Sequence, residues 1–252
     1  MGRSLAWRMA ASDEESSKPE GRSSKASEPV GIAIAVTVVV TALSYLVPDN
    51  YAATAVGATF LFAVIALVLR YDTATIRHFG LSLAGVLEPA PIQAGRVLRE
   101  GVRACAWACA LMAVIVPFFV VGFRIYRRTW GSFHWVAPVS IADELFGQAL
   151  VIALPEEAFY RGYLMTAFDD RWGTPWTIGR AKLGWGWIVS SALFALGHAL
   201  TITNVERLAV FFPALVFGWL RARTRGIGAP ALCHVLCNVL ASTVERGYGL
   251  GV

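Results

Sequence analysis

Apolar positions along this chain fall in long unbroken runs, which predicts helices that are apolar on every side and not surface helices with one greasy stripe. Residues 30–47 are rich in β-branched side chains and carry no charge, and at about 1.5 Å per residue they nearly cross a hydrocarbon core as a helix. Pro48-Asp49-Asn50 turns the chain, 51–69 returns, and the two runs make a helical hairpin. From 70 to 103 the pattern is mixed, with Arg70, Arg77, Arg96, Arg99 and Arg103, and Pro89 and Pro91 break it. Residues 92–103 read as an amphipathic lead-in to a third span, 104–123. A loop with Arg124, Arg127 and Arg128 follows, and its Trp130 and Trp135 are of the interfacial kind. Four more runs cover 142–168, 185–203, 208–220 and 227–244. The fold class this predicts is all-α, a polytopic transmembrane bundle of about seven spans, six to eight if a segment near 124–145 re-enters or crosses.

The first 29 residues differ in kind. They are rich in Ser, Glu, Lys, Pro and Gly and bury too little apolar surface to fold, so a disordered cytoplasmic tail is expected. The first apolar run begins near Val30, later than a cleaved signal peptide would place it. The expected division is therefore 1–29 tail, 30–141 N-terminal transmembrane helices and 142–246 a late helical core.

Composition agrees with a membrane protein: 56% of residues are hydrophobic, 15% are charged, and the mean hydropathy is +0.57. The net charge of +5 does not point to nucleic acid, because Lys and Arg lie between apolar runs and form no stripe with interleaved aromatics. They are topology signals. Of the 22 Lys and Arg residues, all but Arg124, Arg127, Arg128, Arg207 and Arg246 fall on one side of a seven-span path, which puts the amino terminus in the cytoplasm. Cys105, Cys109, Cys233 and Cys237 sit four apart within apolar runs and read as reduced packing residues, not as a disulfide or Cys-x-x-Cys zinc set.

Three polar groups interrupt the late spans. The first is Glu156, Glu157 and Arg161 in ALVIALPEEAFYRGYLMTAF. A charge near the centre of a bilayer costs about 2.5–3.5 kcal/mol on insertion scales, so such residues mark a function or a specific pairing. Glu157 and Arg161 are four apart, acid first, as an ion pair requires. Glu156, about 100° round the helix, is left without a local partner. A soluble helix with a surface acid pair is the plainer reading, and the flanking apolar runs argue against it. The second group is Phe194-x-x-x-His198, and the third is His234-x-x-x-Asn238, whose two polar side chains share a helix face. Taken singly, these are also ordinary hydrogen-bonded packing residues. His78 and His134 lie in loops and receive no role.

Together these residue types match a hydrolytic need. Attack of water on an amide requires a base to hold and deprotonate the water and donors for the oxyanion. Glu156 with His198 supplies the first, and His234 with Asn238 the second. There is no Gly-x-Ser-x-Gly elbow and no His-Glu-x-x-His, although two His and a Glu also form a chemically sensible zinc set. A proton-coupled transporter would use similar residues, but in two related halves, and here they occupy one half only.

The ordered set Glu156-Glu157-x-x-x-Arg161, Phe194-x-x-x-His198 and His234-x-x-x-Asn238 resembles the CPBP family over about 143–245. This family includes the type II CAAX prenyl endopeptidases and the bacterial Abi and bacteriocin-processing or self-immunity proteins. The stretch FFPALVFGWLRARTRGIGAPALCHVLCN also looks like the family's segment between its second and third motifs. The resemblance implies an intramembrane endopeptidase whose Glu156 and His198 activate water. It implies that Glu157 and Arg161 support the site, that Phe194 packs beside it, and that His234 and Asn238 form the oxyanion hole. It implies a glutamate-based reaction without a cofactor, in a family long called metalloprotease, with zinc left open. Its substrates would be membrane-anchored proteins or peptides (prenylated proteins, bacteriocin leaders or C-terminal sorting tails), in a bacterial inner membrane. A non-catalytic immunity or scaffold protein of the same fold is the alternative.

Overall fold

The computed structural model describes residues 28–250. The expected disordered tail lies outside the described residues except for Glu28 and Pro29. These two open helix α1 (Glu28–Leu46), with the acid and the proline both in the first turn, where each is favourable. Helix α2 (Asp49–Val64) returns after Pro48 and runs on as a π-helical turn, Ile65–Leu69. A short α3 (Thr73–His78) is capped by Asp72, whose side chain accepts from the Thr75 N–H.

The amphipathic lead-in and the third apolar run form one helix, α4 (Ala94–Arg127). Its 34 residues extend about 50 Å, well beyond a hydrocarbon core of about 30 Å, so its basic first turns reach past the apolar layer. The central helical row, 141–172, comprises α5 (Ile141–Phe146), α6 (Leu154–Glu157) and α7 (Met165–Trp172), joined by π-helical segments Gly147–Ala153 and Ala158–Leu164. Helices α8 (Trp185–Thr201), α9 (Phe211–Thr224) and α10 (Gly228–Gly247) complete the bundle.

The structure is all-α apart from a small hairpin that the apolar pattern did not predict. Strands β1 (Trp176–Ile178) and β2 (Ala181–Leu183) pair antiparallel, with Ile178 opposite Ala181. Gly179 and Arg180 both have positive φ, 56° and 66°, as a two-residue hairpin turn demands.

The central row lies in the middle of the bundle, packed by α2, α8, α9 and α10, while α4 lies outside against α10. The main core joins Phe60 and Val64 of α2 to Phe159, Tyr160 and Leu164 of the central row and Phe194 of α8. Outward-facing positions are also apolar: Val38 is 61%, Phe62 73% and Phe118 76% exposed. Side chains of this kind on the outside of a bundle fit hydrocarbon and not water. Among the described residues, three helical stretches, Glu28–Leu46, Asp49–Leu69 and Ala94–Arg127, are long and apolar enough to cross a membrane. All four cysteines are free; Cys233 is buried, and Cys105 and Cys109 lie on the exposed face of α4.

Candidate active site

Pro155 shapes the polypeptide on which the acids sit. A proline lacks the N–H that would bond the Val151 carbonyl, and its ring crowds that carbonyl in a regular α-helix. The chain widens into the π-helical segment just before it, where the Leu154 N–H bonds Ala149 O, five residues back. The second π-helical segment, on the other side of the acids, ends with Met165 N–H on Tyr160 O. Glu156 and Glu157 thus occupy one α-helical turn between two widened ones. Gly57 of α2 lets the central row approach closely, since a Cβ there would fall onto the Val151 carbonyl.

Glu157 and Arg161 pair as their spacing predicts, Oε1 to Nη1 at 3.0 Å, and both side chains are fully buried. The guanidinium also lies over the Phe194 ring, 4.2 Å from its centroid, and its Nη2 donates to Ala214 O at 3.4 Å. The same Glu157 Oε1 takes a hydrogen bond from His234 Nδ1 at 3.0 Å. A carboxylate accepts and does not donate, so Nδ1 carries the hydrogen. The His234 ring is stacked on Phe217, 4.9 Å between centroids, and meets Phe194 edge-on.

Glu156 approaches His234 across the bundle. Its Oε2 lies 3.8 Å from His234 Nε2, too long for a hydrogen bond, and that oxygen is buried without any hydrogen-bond partner among the described residues. His234 therefore stands between the two glutamates, bonded to one and close to the other.

His198 is half-buried. Its Nδ1 lies 3.0 Å from the Phe194 carbonyl, an acceptor only, so Nδ1–H donates and Nε2 is free to accept in the neutral ring. Phe194, besides covering Arg161, packs its ring 4.3 Å from that of His198. His198 makes no ion-pair contact with either glutamate among the described residues. Asn238 donates through Nδ2 to Gln148 Oε1 at 2.8 Å, leaving its second amide hydrogen uncommitted.

Five of the seven predicted residues, Glu156, Glu157, Arg161, Phe194 and His234, form one contact cluster. His198 adjoins it through Phe194, and Asn238 lies one turn along α10. Gln148 and Phe217 were missed. Gln148 left a signal, as a polar residue in an apolar run, whereas Phe217 looks like any other core aromatic. His78, expected in a loop, closes α3 and pairs with Asp170, and His134 meets Gly247 through its backbone; both lie outside the cluster. No three His, Cys, Asp or Glu side chains among the described residues are grouped so as to hold a metal ion.

Apolar helices and the buried acid cluster they enclose mark an integral membrane protein. Residues 138–240 match the family model of the type II CAAX prenyl endopeptidase Rce1-like proteins. This bears out the family resemblance over a segment that holds all seven predicted residues, and at the family level it is a match to CAAX-type intramembrane proteases. No curated protein matches the chain, and no solved structure does.

Proposed function

We propose that this protein is an intramembrane endopeptidase that hydrolyses a peptide bond in a membrane-anchored protein or peptide by glutamate-activated water. The observation that carries the reading is the unpartnered Oε2 of Glu156: Glu157 beside it also leaves its Oε2 without a partner but is held through Oε1 by Arg161 and His234, whereas no such bond holds Glu156 among the described residues. A buried acceptor of this kind calls for a donor, and a water is the donor that suits it. That water sits between Glu156 and the free Nε2 of His198. It attacks the scissile carbonyl carbon, Glu156 takes its proton, and the proton passes to the departing amine nitrogen as the C–N bond breaks.

The oxyanion formed in that step receives hydrogen bonds from His234 and Asn238. Because Nδ1–H of His234 is given to Glu157, Nε2 donates only when the ring is doubly protonated. The protein uses no cofactor in this scheme. It lies in a bacterial inner membrane with the 70–103 side in the cytoplasm.

The test compares membranes from cells carrying wild-type protein or Glu156→Gln, and follows hydrolysis of a farnesylated Cys-a-a-X peptide by the purified proteins. Glu156→Gln is expected to abolish cleavage, cause an uncleaved membrane protein to accumulate, and keep thermal stability near wild type. Undiminished cleavage by Glu156→Gln removes it as the base. A wild-type protein that leaves every membrane protein unprocessed favours the non-catalytic immunity or scaffold role. Activity is expected to survive exhaustive chelation; loss that one metal restores would make His198 and His234 ligands instead.

A further inference from the structure

A cavity of about 550 Å³ opens between the first turns of α4 and the turn joining α9 to α10, away from the acid cluster. Arg77, Arg96, Arg103 and Arg225 line it, with Glu100 as the lining carboxylate. Arg77 and Arg96 are both committed to Glu88, and Arg103 approaches Glu100 at 3.7 Å. Arg225 makes no ion pair among the described residues. With both glutamates counted, the arginines remain two charges in excess. The start of α10 faces the same space through Gly228 and Ala229, and Ile227 before it supplies no side-chain cap. This start offers two N–H groups, those of Gly228 and Ala229, since Pro230 has none and the Ala231 N–H bonds Ile227 O, and uncapped groups of this kind add to the pull on an anion.

The other wall of the cavity is apolar, from Val97, Ala104 and Leu232. Val97, Gly101 and Cys105 continue outward as a trough along α4, which Cys109 carries on to Met112 and Leu236. From 101 to 112 this path is about 16 Å long, close to half of a hydrocarbon core and so to one leaflet. Arginines at 96, 99 and 103 directly precede the apolar run from 104, which places the cavity where headgroups meet acyl chains.

We infer that this cavity is a binding site for an anionic phospholipid. Arg103, Arg225 and the N–H groups of Gly228 and Ala229 hold its phosphate, and one acyl chain lies in the trough on α4. The inference rests on the cavity and the membrane setting and is independent of the catalytic scheme.

The experiment measures melting and native mass spectra of the full chain in neutral detergent with phosphatidylglycerol, phosphatidylcholine or glycerol phosphate. Phosphatidylglycerol is expected to raise the melting temperature and stay bound, and the other two to do neither. A response to phosphatidylcholine equal to that for phosphatidylglycerol overturns the role of charge. An equal response to glycerol phosphate overturns the role of the chain. Arg103→Gln with Arg225→Gln should weaken phosphatidylglycerol binding at least about tenfold. Arg171→Gln, exposed and outside the lining, should leave it unchanged. Gly101→Leu fills the trough where an added Cβ meets nothing, so it should block the lipid without harming the fold. Full phosphatidylglycerol binding by both the double variant and Gly101→Leu overturns the proposal.

Discussion

Glu156 and Glu157 are adjacent in sequence and unequal in surroundings, and under the proposed reaction this difference gives Glu156 the chemistry and Glu157 the support. Glu157 is held by Arg161 and His234 at 3.0 Å each, with no exposure left on the Glu157 or Arg161 side chain. Removing one member of a buried pair strands the other charge, a loss of about 3–5 kcal/mol. Arg161→Ala is therefore expected to lower the yield of folded protein and its melting temperature, whereas Glu156→Gln leaves both near wild type. Melting curves of the two variants in one detergent decide the point; equal destabilisation would give Glu156 a structural role. Asn238→Ala should keep the fold and slow cleavage by about 10²–10³, the range for one lost oxyanion donor. Gln148→Ala should lower the rate in the same sense by releasing the Asn238 amide. The charges were legible in the sequence because a bilayer-spanning run makes each of them costly. The placement of His234 between the two acids was not, since it depends on how α10 is rotated against the central row. Gln148 was visible but had no assigned partner until that packing was known.

At the scale of elements, apolar runs marked where the helices lie and said little about their inner form. The two π-helical segments of the central row leave no hydropathy signal, because the runs around them are mostly apolar and the same residues form either kind of turn. Pro155 was the trace of the first, and its effect reaches α2 through Gly57. Gly57→Ala puts a methyl group against the Val151 carbonyl and should cost about 1–3 kcal/mol. It should also reduce cleavage, since it moves the segment carrying Glu156; Gly122→Ala, with nothing near its added Cβ, is the control. The hairpin 176–183 was missed because three-residue strands are shorter than any period that alternation can reveal. The mixed stretch 70–103 has an organising residue of its own. Glu88 accepts from Arg77 at 2.6 and 2.9 Å and from Arg96 at 2.8 Å, and Ser82 also bonds it, which fastens α3 to the start of α4. Hydrogen bonds from Arg77, then from Arg96, hold its carboxyl far below the ordinary carboxylate value of 4.5. A depressed carboxylate stabilises the fold above its unfolded value, and that stability is lost as pH falls below about 4.5 toward the folded value. Wild type should lose stability over this range more steeply than Glu88→Gln, in which the group no longer titrates. Parallel pH curves for the two proteins would show that Glu88 contributes nothing.

For the whole molecule, contacts between distant segments gather the chain turns at two ends. At one end Tyr45 meets Leu200 and Thr203, His134 meets Gly247, and Glu144 pairs with Arg246. At the other His78 meets Asp170, Arg221 reaches His78, and Ile227 bonds Gly80. The turns near 47, 128–140, 202–210 and 248 thus share one side, and those near 70–93, 173–184 and 225–227 share the other. The grouping is the alternation that the positive charges follow, with one amendment. Arg161 is buried within the bundle, pairs with Glu157, and carries no weight for either side. The remaining asymmetry still places most Lys and Arg at the 70–103 end, against the cluster Arg124, Arg127 and Arg128. Reporter fusions after residues 75, 176 and 224 are therefore expected to report the cytoplasm, and fusions near 130 and after 248 the opposite side. Fusions at 176 and 224 reporting opposite sides would separate turns that the packing of α8 and α9 holds together, and would refute the arrangement. All five fusions reversed would keep the bundle and overturn only its orientation, moving the Glu88 clasp and the arginine-lined cavity to the outer leaflet.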